Sequence, residues 1–259
     1  MGEAGGVQRA LAKLTLSLRV VGVRGDGYHL IRAEMVTLDL ADTLVFGPGD
    51  GLEVVGSAAG SPVPGDEANL VRRAMAAVGR TAHVRLEKRI PVGAGLGGGS
   101  ADAAAVLRWA GVTDPLVACS LGADVPFCVA GGRALVSGVG EVVDPLAFED
   151  HSFVLLTPPF GVSTAEVYRA WDELGGPAAD GANDLEAPAL AVEPRLARWR
   201  DALGEVTRRD PVLAGSGSTW FVEGSADELG VRAGTTVEVG GEVARIIEAR
   251  TDRPSGPGG

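Results

Sequence analysis

The chain has 259 residues, 46% hydrophobic and 22% charged, which suffices for one large domain or two modest ones around a sizeable core. Its formal net charge of −11 argues against a nucleic-acid or membrane-surface binder, because such proteins carry a basic field that attracts phosphates. No run approaches the roughly 18 apolar residues of a membrane span, and the opening residues lack a basic-then-apolar signal pattern, so a cytoplasmic protein is expected.

Leu14, Leu16, Leu18 and Val20 alternate with Lys13, Thr15, Ser17 and Arg19, the period-two pattern of a half-buried strand whose polar face carries Lys13 and Thr15 together. The stretch RGDGYH, from Arg24 to His29, is turn chemistry. EMVTLDL, DTLVF and LEVVG then read as short strands separated by turns at Ala41-Asp42 and GPGDG. A linker-like GSAAGSPVPGDEA at 56–68 precedes a helix predicted from Asn69 to about Val78, and TAHVRLEKRI alternates as a strand that runs into glycines at 93, 95, 97, 98 and 99. Ser100 is a suitable N-cap for the alanine-rich helix beyond.

From about residue 150 helices alternate with strands. HSFVLLTPP reads as a strand, STAEVYRAWDELG and PRLARWRDALGEV as helices, and VLAGSGSTWFVEG as strand, turn, strand. The expected class is α+β, with a strand-rich N-terminal lobe over 1–149, an α/β lobe over 150–252 and a disordered tail over 253–259. Cys119 and Cys128 lie in apolar contexts that suit reduced core thiols. His29, His83 and His151 have no ligand spacing, so no metal site built from protein ligands is expected.

The glycine cluster costs roughly 0.5 to 1 kcal/mol per residue relative to alanine in regular structure, so it forms a strained loop or admits something close to the backbone. Gly93, Gly95 and Gly98 satisfy the spacing of a dinucleotide-binding loop, but the preceding HVRLEKRI is charged at alternate positions, unlike a first strand buried on both faces, and the acidic residue expected about 20 positions later is missing. A Walker A loop is excluded, since Gly98 is followed by Gly99 and Ser100 with no lysine. A strand, a glycine loop and a helix N-terminus remain, which together suit phosphate; a tight structural crossover is the alternative.

AKLTLSLRVVGVRGDGYH, IPVGAGLGGGSADAAAVL, LGADVPF and LAGSGSTWF, in that order between about Ala12 and Phe221, resemble the GHMP kinase superfamily. Within it, the AKLTL…DGYH opening, LGADVPF, GVGE at Gly138–Glu141 and GVSTAEVY at Gly161–Tyr168 resemble the branch acting on diphosphocytidyl-methylerythritol. The resemblance implies the two-lobed GHMP kinase fold and transfer of the ATP γ-phosphoryl group to a cytidine diphosphate-linked polyol, with Mg²⁺ bridging phosphate oxygens. It places ATP on Pro91, Gly93, Ala94, Gly95, Leu96, Gly97, Gly98, Gly99, Ser100 and Ala101, and makes Asp124 the base and Lys13 its cationic partner. Tyr28 would stack on the cytosine, His29 would bond its edge, and Tyr168 would lie on its other side.

Two departures stand out. Thr15 occupies a position where the family has asparagine at the acceptor site, and the segment Arg108–Ser120 is shorter than usual. With the charge excluding nucleic-acid and membrane partners, small-molecule substrates and a monomer or weak homodimer are expected. A kinase for mevalonate, homoserine or a sugar, or a silent ligand sensor on the same fold, are the rival readings.

Overall fold

The computed structural model describes residues 5–56 and 68–253. The linker-like stretch expected at 56–68, apart from its two ends, and the tail expected over 253–259, apart from Arg253, lie outside the described residues. The alternation around Leu14 extends both ways into a long antiparallel hairpin, β1 (Gly6–Val23) against β2 (His29–Gly47). Its tip is closed by the Arg24 N–H donating to the Tyr28 carbonyl over 2.7 Å.

The strands expected to break at Ala41-Asp42 are one strand, β2. Asp42 is fully buried there, and it accepts from the Arg89 and Ile90 N–H groups (2.5 and 2.8 Å) and from the Lys88 ammonium. Its charge interrupts the apolar pattern without interrupting the backbone, because every polar contact it needs is supplied from another strand end.

β2 organises the first sheet, whose order is β3 (Gly51–Val55), β4 (His83–Glu87), β2, β5 (Arg133–Gly138) and β6 (Val142–Pro145), with β1 also on β2. Helix α1 (Leu70–Ala77) begins after Asn69, whose side chain accepts from the Val71 N–H over 2.9 Å. Helix α2 (Gly98–Ala110) packs on β1, β2 and α1 and on two short helices, α3 (Pro115–Leu121) and α4 (Val125–Ala130). Ala101 and Ala103–Ala105 are all buried, and only small side chains let one helix be covered on so many sides. Its N-cap is Gly97 rather than Ser100: the backbone reaches the helix through a left-handed residue (φ 67°), which leaves Ser100 inside the first turn.

The second sheet runs β10 (Thr236–Val239), β11 (Glu242–Arg250), β7 (Ser152–Leu156), β9 (Trp220–Glu223) and β8 (Val212–Leu213). Helices α5 (Thr164–Glu173), α6 (Glu186–Val192) and α7 (Leu196–Thr207) belong to this half, and Trp199 of α7 and Trp220 of β9 are its largest fully buried side chains. No helix among the described residues is long and apolar enough to cross a membrane.

The two sheets are tied by a loop that sequence reading did not single out. Leu18 N–H donates to the Ala182 carbonyl (2.9 Å) and Asp184 N–H to the Leu18 carbonyl (3.0 Å). The buried Asp184 carboxylate accepts from Arg19 (2.7 Å), the Val20 N–H (2.9 Å) and the Ala179 N–H (2.8 Å). Burial pushes its carboxyl up, but the Ala179 N–H, Arg19 and the Val20 N–H outweigh that and hold it below the usual carboxylate range. A depressed carboxyl stabilises the fold fully above the ordinary carboxylate value of about 3.9, and that contribution disappears as pH falls through the folded value. Asp184→Ala should therefore cost about 2 to 4 kcal/mol at neutral pH, and the deficit relative to wild type should shrink in acid; urea melts at both pH values measure it.

Candidate active site

A cleft of about 950 Å³ opens between the sheets, lined by β1, the hairpin tip, the glycine loop, the start of α4, α5 and the 215–216 turn. Lys13 reaches it because β1 carries a register shift between Leu11 and Lys13, where the Lys13 N–H leaves the ladder and donates to the Leu96 carbonyl at 3.0 Å. On the polar face of this strand Lys13 is 5% and Thr15 2% exposed. Lys13 Nζ donates to Thr15 Oγ1 over 3.1 Å and lies 3.4 Å from Asp124 Oδ2. Asp124 immediately precedes α4, anchored by the buried Val125, Pro126 and Phe127. Its side chain is 32% exposed and faces both Lys13 and the open cleft.

The glycine loop is held by backbone. Thr219 N–H donates to the Ala94 carbonyl (3.1 Å), and a Cβ on Gly95 would lie 2.5 Å from the Ala214 carbonyl oxygen and 2.6 Å from that of Gly217. A Cβ on Gly97 would meet Lys13 Cγ at 2.8 Å. Both residues also have positive φ, so close approach and backbone conformation each require glycine. Beyond them α2 presents the N–H groups of its first turn, which have no acceptor within the helix, and its positive dipole end. The facing turn is fixed by Asn183, 2% exposed, whose Nδ2 donates to the Leu213 and Gly215 carbonyls (2.9 and 2.7 Å). Ser216 and Thr164 share a 2.8 Å hydrogen bond at the cleft edge.

At the hairpin end, Tyr28 is 61% exposed, with the Arg24 guanidinium 5.4 Å from its ring centre. His29 is stacked on Tyr168 (ring centres 4.7 Å apart) and meets Trp171 edge-on; its Nε2 bonds Asp172 over 2.8 Å. One face of Tyr168 is thus covered by His29, and burial, then the Asp124 charge, raises its phenol above the ordinary value.

Of the residues expected at the site, Lys13, Thr15, Tyr28, His29, Pro91, Gly93–Ser100, Asp124 and Tyr168 line this one cleft; Ala101 lies behind it in the core, 1% exposed. Sequence reading missed Lys88, Asp42 and Asp102, which form a buried cluster against the loop. Asp102 was the detectable signal, a lone charge inside an alanine run. Burial pulls the Lys88 ammonium down, but Asp102 and Asp42 together raise it above its ordinary value. Asn183 and Asp172 carried no local signal, since each acts on a segment far away in the chain. Among the described residues no three His, Cys, Asp or Glu side chains are grouped to hold a metal ion. Cys119 and Cys128 are unbonded; Cys128 is buried, whereas Cys119, expected in the core, is partly exposed.

Residues 69–113 match the family model for the GHMP kinases N terminal domain. The chain is 39% identical to the 4-diphosphocytidyl-2-C-methyl-D-erythritol kinase of Paracoccus denitrificans (strain Pd 1222), over 83% of this chain and 85% of that one. It is 37% identical to the enzyme of the same name from Rhodopseudomonas palustris (strain ATCC BAA-98 / CGA009), over 86% and 89%. A solved structure of 4-(cytidine 5'-diphospho)-2C-methyl-D-erythritol kinase superposes with a TM-score of 0.71 at 32% identity, covering 95% of this chain and 100% of that one. L. major mevalonate kinase, at 14% identity and a TM-score of 0.62 over 98% of both chains, shares the fold.

The seam at Gly95 is directly testable. Gly95→Ala strains a positive φ and also drives a methyl into two carbonyls, whereas Gly79→Ala strains a similar φ in open space. Gly79→Ala should cost about 1 kcal/mol and Gly95→Ala about 3 kcal/mol or more, separating their thermal midpoints by roughly 5 °C. Equal midpoints would mean that the close approach carries no weight.

Proposed function

The chain belongs to the 4-diphosphocytidyl-2-C-methyl-D-erythritol kinases within the GHMP kinases, and from that premise we propose how its cleft performs the transfer. The enzyme moves the γ-phosphoryl group of ATP to the 2-hydroxyl of 4-diphosphocytidyl-2-C-methyl-D-erythritol, a step in non-mevalonate isoprenoid precursor synthesis. The observation that carries the mechanism is the Lys13–Asp124 ion pair standing in the cleft beside the glycine loop.

Phosphoryl transfer needs positioning and charge stabilisation more than covalent help. The glycine loop that follows Pro91 and the first turn of α2 hold the triphosphate on backbone N–H groups, with the dipole aimed at it. Asp124, partly exposed and facing the cleft, accepts the proton as the substrate oxygen attacks the γ-phosphorus and the bond to the ADP oxygen breaks. The Lys13 ammonium, with Thr15 as one acceptor and Asp124 as another, directs its remaining N–H to the transferring group. This gives Thr15 a supporting part: its short hydroxyl reaches Lys13 rather than the acceptor polyol.

The cleft carboxylates do not fit a resident Mg²⁺ site, because Asp124 faces Lys13, Asp102 faces Lys88 and Asp172 faces His29. Mg²⁺ enters with the nucleotide as part of the substrate. We read the lobes as 1–149 and 150–252 with the cleft between their sheets, and the enzyme as cytoplasmic, where ATP is available.

Tyr28 offers an exposed ring for the cytosine. Asp172, acceptor only when ionised, makes His29 Nε2 the donor of that pair; in the neutral ring Nδ1 is then an acceptor, suited to the amino group of cytosine and unsuited to the carbonyl of uracil. A mevalonate or homoserine kinase would have no use for either residue.

Asp124→Asn should lower turnover by about 10² to 10⁴ while both substrates still bind, as single-turnover and binding measurements would establish. Tyr28→Leu should weaken the cytidine substrate by roughly 1 to 3 kcal/mol, on the order of 5- to 150-fold in Kd, and leave ATP binding unchanged. His29→Ala should in addition lose preference for cytosine over uracil. Calorimetry with the substrate, its uridine analogue and a non-hydrolysable ATP analogue checks both; unaltered substrate affinity in Tyr28→Leu would remove the ring from the site.

A further inference from the structure

Against the glycine loop lie charged side chains that the transfer chemistry does not use. Lys88, Asp42 and Asp102 come from three elements, the end of β4, β2 and α2, and none is more than 7% exposed. Lys88 Nζ donates to Asp42 and, over 2.8 Å, to Asp102 Oδ2. A Cβ on Gly98 would lie 3.3 Å from Lys88 Nζ, so the ammonium sits directly against the first turn of α2. Lys88 and Asp102 both form part of the cleft wall there.

The two carboxyl groups have different surroundings. Asp42 has both oxygens engaged by donors, Oδ1 by the Arg89 and Ile90 N–H groups and Oδ2 by Lys88, which is the environment of an ionised carboxylate. Asp102 receives Lys88 on Oδ2 alone, and its Oδ1 is buried without a partner among the described residues. A bare anionic oxygen in a dry interior is strongly unfavourable, whereas a neutral carboxyl is tolerated. In keeping with this, burial, with the Asp42 charge adding and Lys88 opposing, pushes the Asp102 carboxyl up to about 8.

We propose that this triad is the electrostatic floor of the nucleotide site, and that Asp102 is the positioning residue that sets its charge: one ammonium and one proton balance two carboxylates, so a polyphosphate meets a neutral wall. The proposal rests on the reading of the glycine loop as the ATP site. Loss of the Asp102 proton would put a net negative charge under an anionic ligand without altering shape.

Several other titratable groups on elements packed against α2 are engaged elsewhere. Lys13 of β1 faces Asp124, Glu34 of β2 pairs with Arg133, and on α1 Arg72 pairs with Asp50 and Arg73 donates to the Ser120 carbonyl. Burial raises the Cys119 thiol on α3 above its ordinary value and pushes Cys128 on α4 up to about 12, which keeps Cys128 neutral.

The test is calorimetric binding of a non-hydrolysable ATP analogue from about pH 7 to about pH 9.5, for wild type and Asp102→Asn, alongside kcat and KM for ATP. Wild-type affinity should fall on the order of tenfold across that range, with KM rising and kcat nearly constant, while the permanently neutral Asp102→Asn gives a flat profile. A flat wild-type profile, or an equal fall in the variant, would overturn the proposal alone; no analogue binding at any pH would overturn the ATP reading as well. A second measurement needs no variant: in native protein with ¹³C-labelled aspartate carboxyls, one resonance should titrate near 8. Titration of every aspartate in the ordinary acid range would sink the idea.

Discussion

Everything in the cleft is placed relative to one backbone seam, where the glycine loop from the first sheet lies against the 214–219 turn of the second with no side chain between them at Gly95. Main-chain groups hold it: Ala94 accepts from Thr219 on one side, and Leu96 accepts from Lys13 on the other. The same hydrogen bond that pins Leu96 takes Lys13 out of register and turns its side chain into the cleft. Loop, cation and facing turn are therefore fixed as one unit, and preorganisation of this kind is what phosphoryl transfer demands of a protein.

Electrostatics follow from that geometry. A chain with a net charge of −11 cannot attract a triphosphate by its overall field, so it relies on local donors: the backbone N–H groups at the start of α2 and a lysine that is almost fully enclosed. Enclosure strengthens the Lys13–Asp124 interaction relative to water, and Asp124 remains partly open because it must meet the substrate.

Much of this was legible in the residues. Alternation revealed β1, Asn69 marked the start of α1, and the glycine spacing with the alanine run located the loop and α2. The failures have physical causes. Asp42 looked like a turn because sequence alone does not reveal that Lys88 and two distant N–H groups satisfy it. Ser100 looked like a cap because a left-handed glycine cap leaves no side-chain signature. Helices α3, α4 and α6 span only 7, 6 and 7 residues, too few for periodicity to register, and β10 and β11 lie where apolar alternation is diluted by Glu238, Glu242 and Arg245. Asn183 and Asp184 act only through tertiary contacts, which local pattern does not encode.

The strand order of the second sheet bears on how the chain is made. β7 is the sheet's central strand, and both of its neighbours, β9 and β11, come later in the chain, the second of them ending at Arg250. As the polypeptide leaves the ribosome at roughly 5 to 20 residues per second, the apolar Phe153–Leu156 edge must wait on the order of several seconds before β11 arrives. During that interval the first sheet can already close around α2, but in the second the side of β7 that β11 will cover remains an unpaired edge. Nascent chains stalled before β11 are thus the species most exposed to misassociation, and the last strand to be translated is the one that ends the hazard.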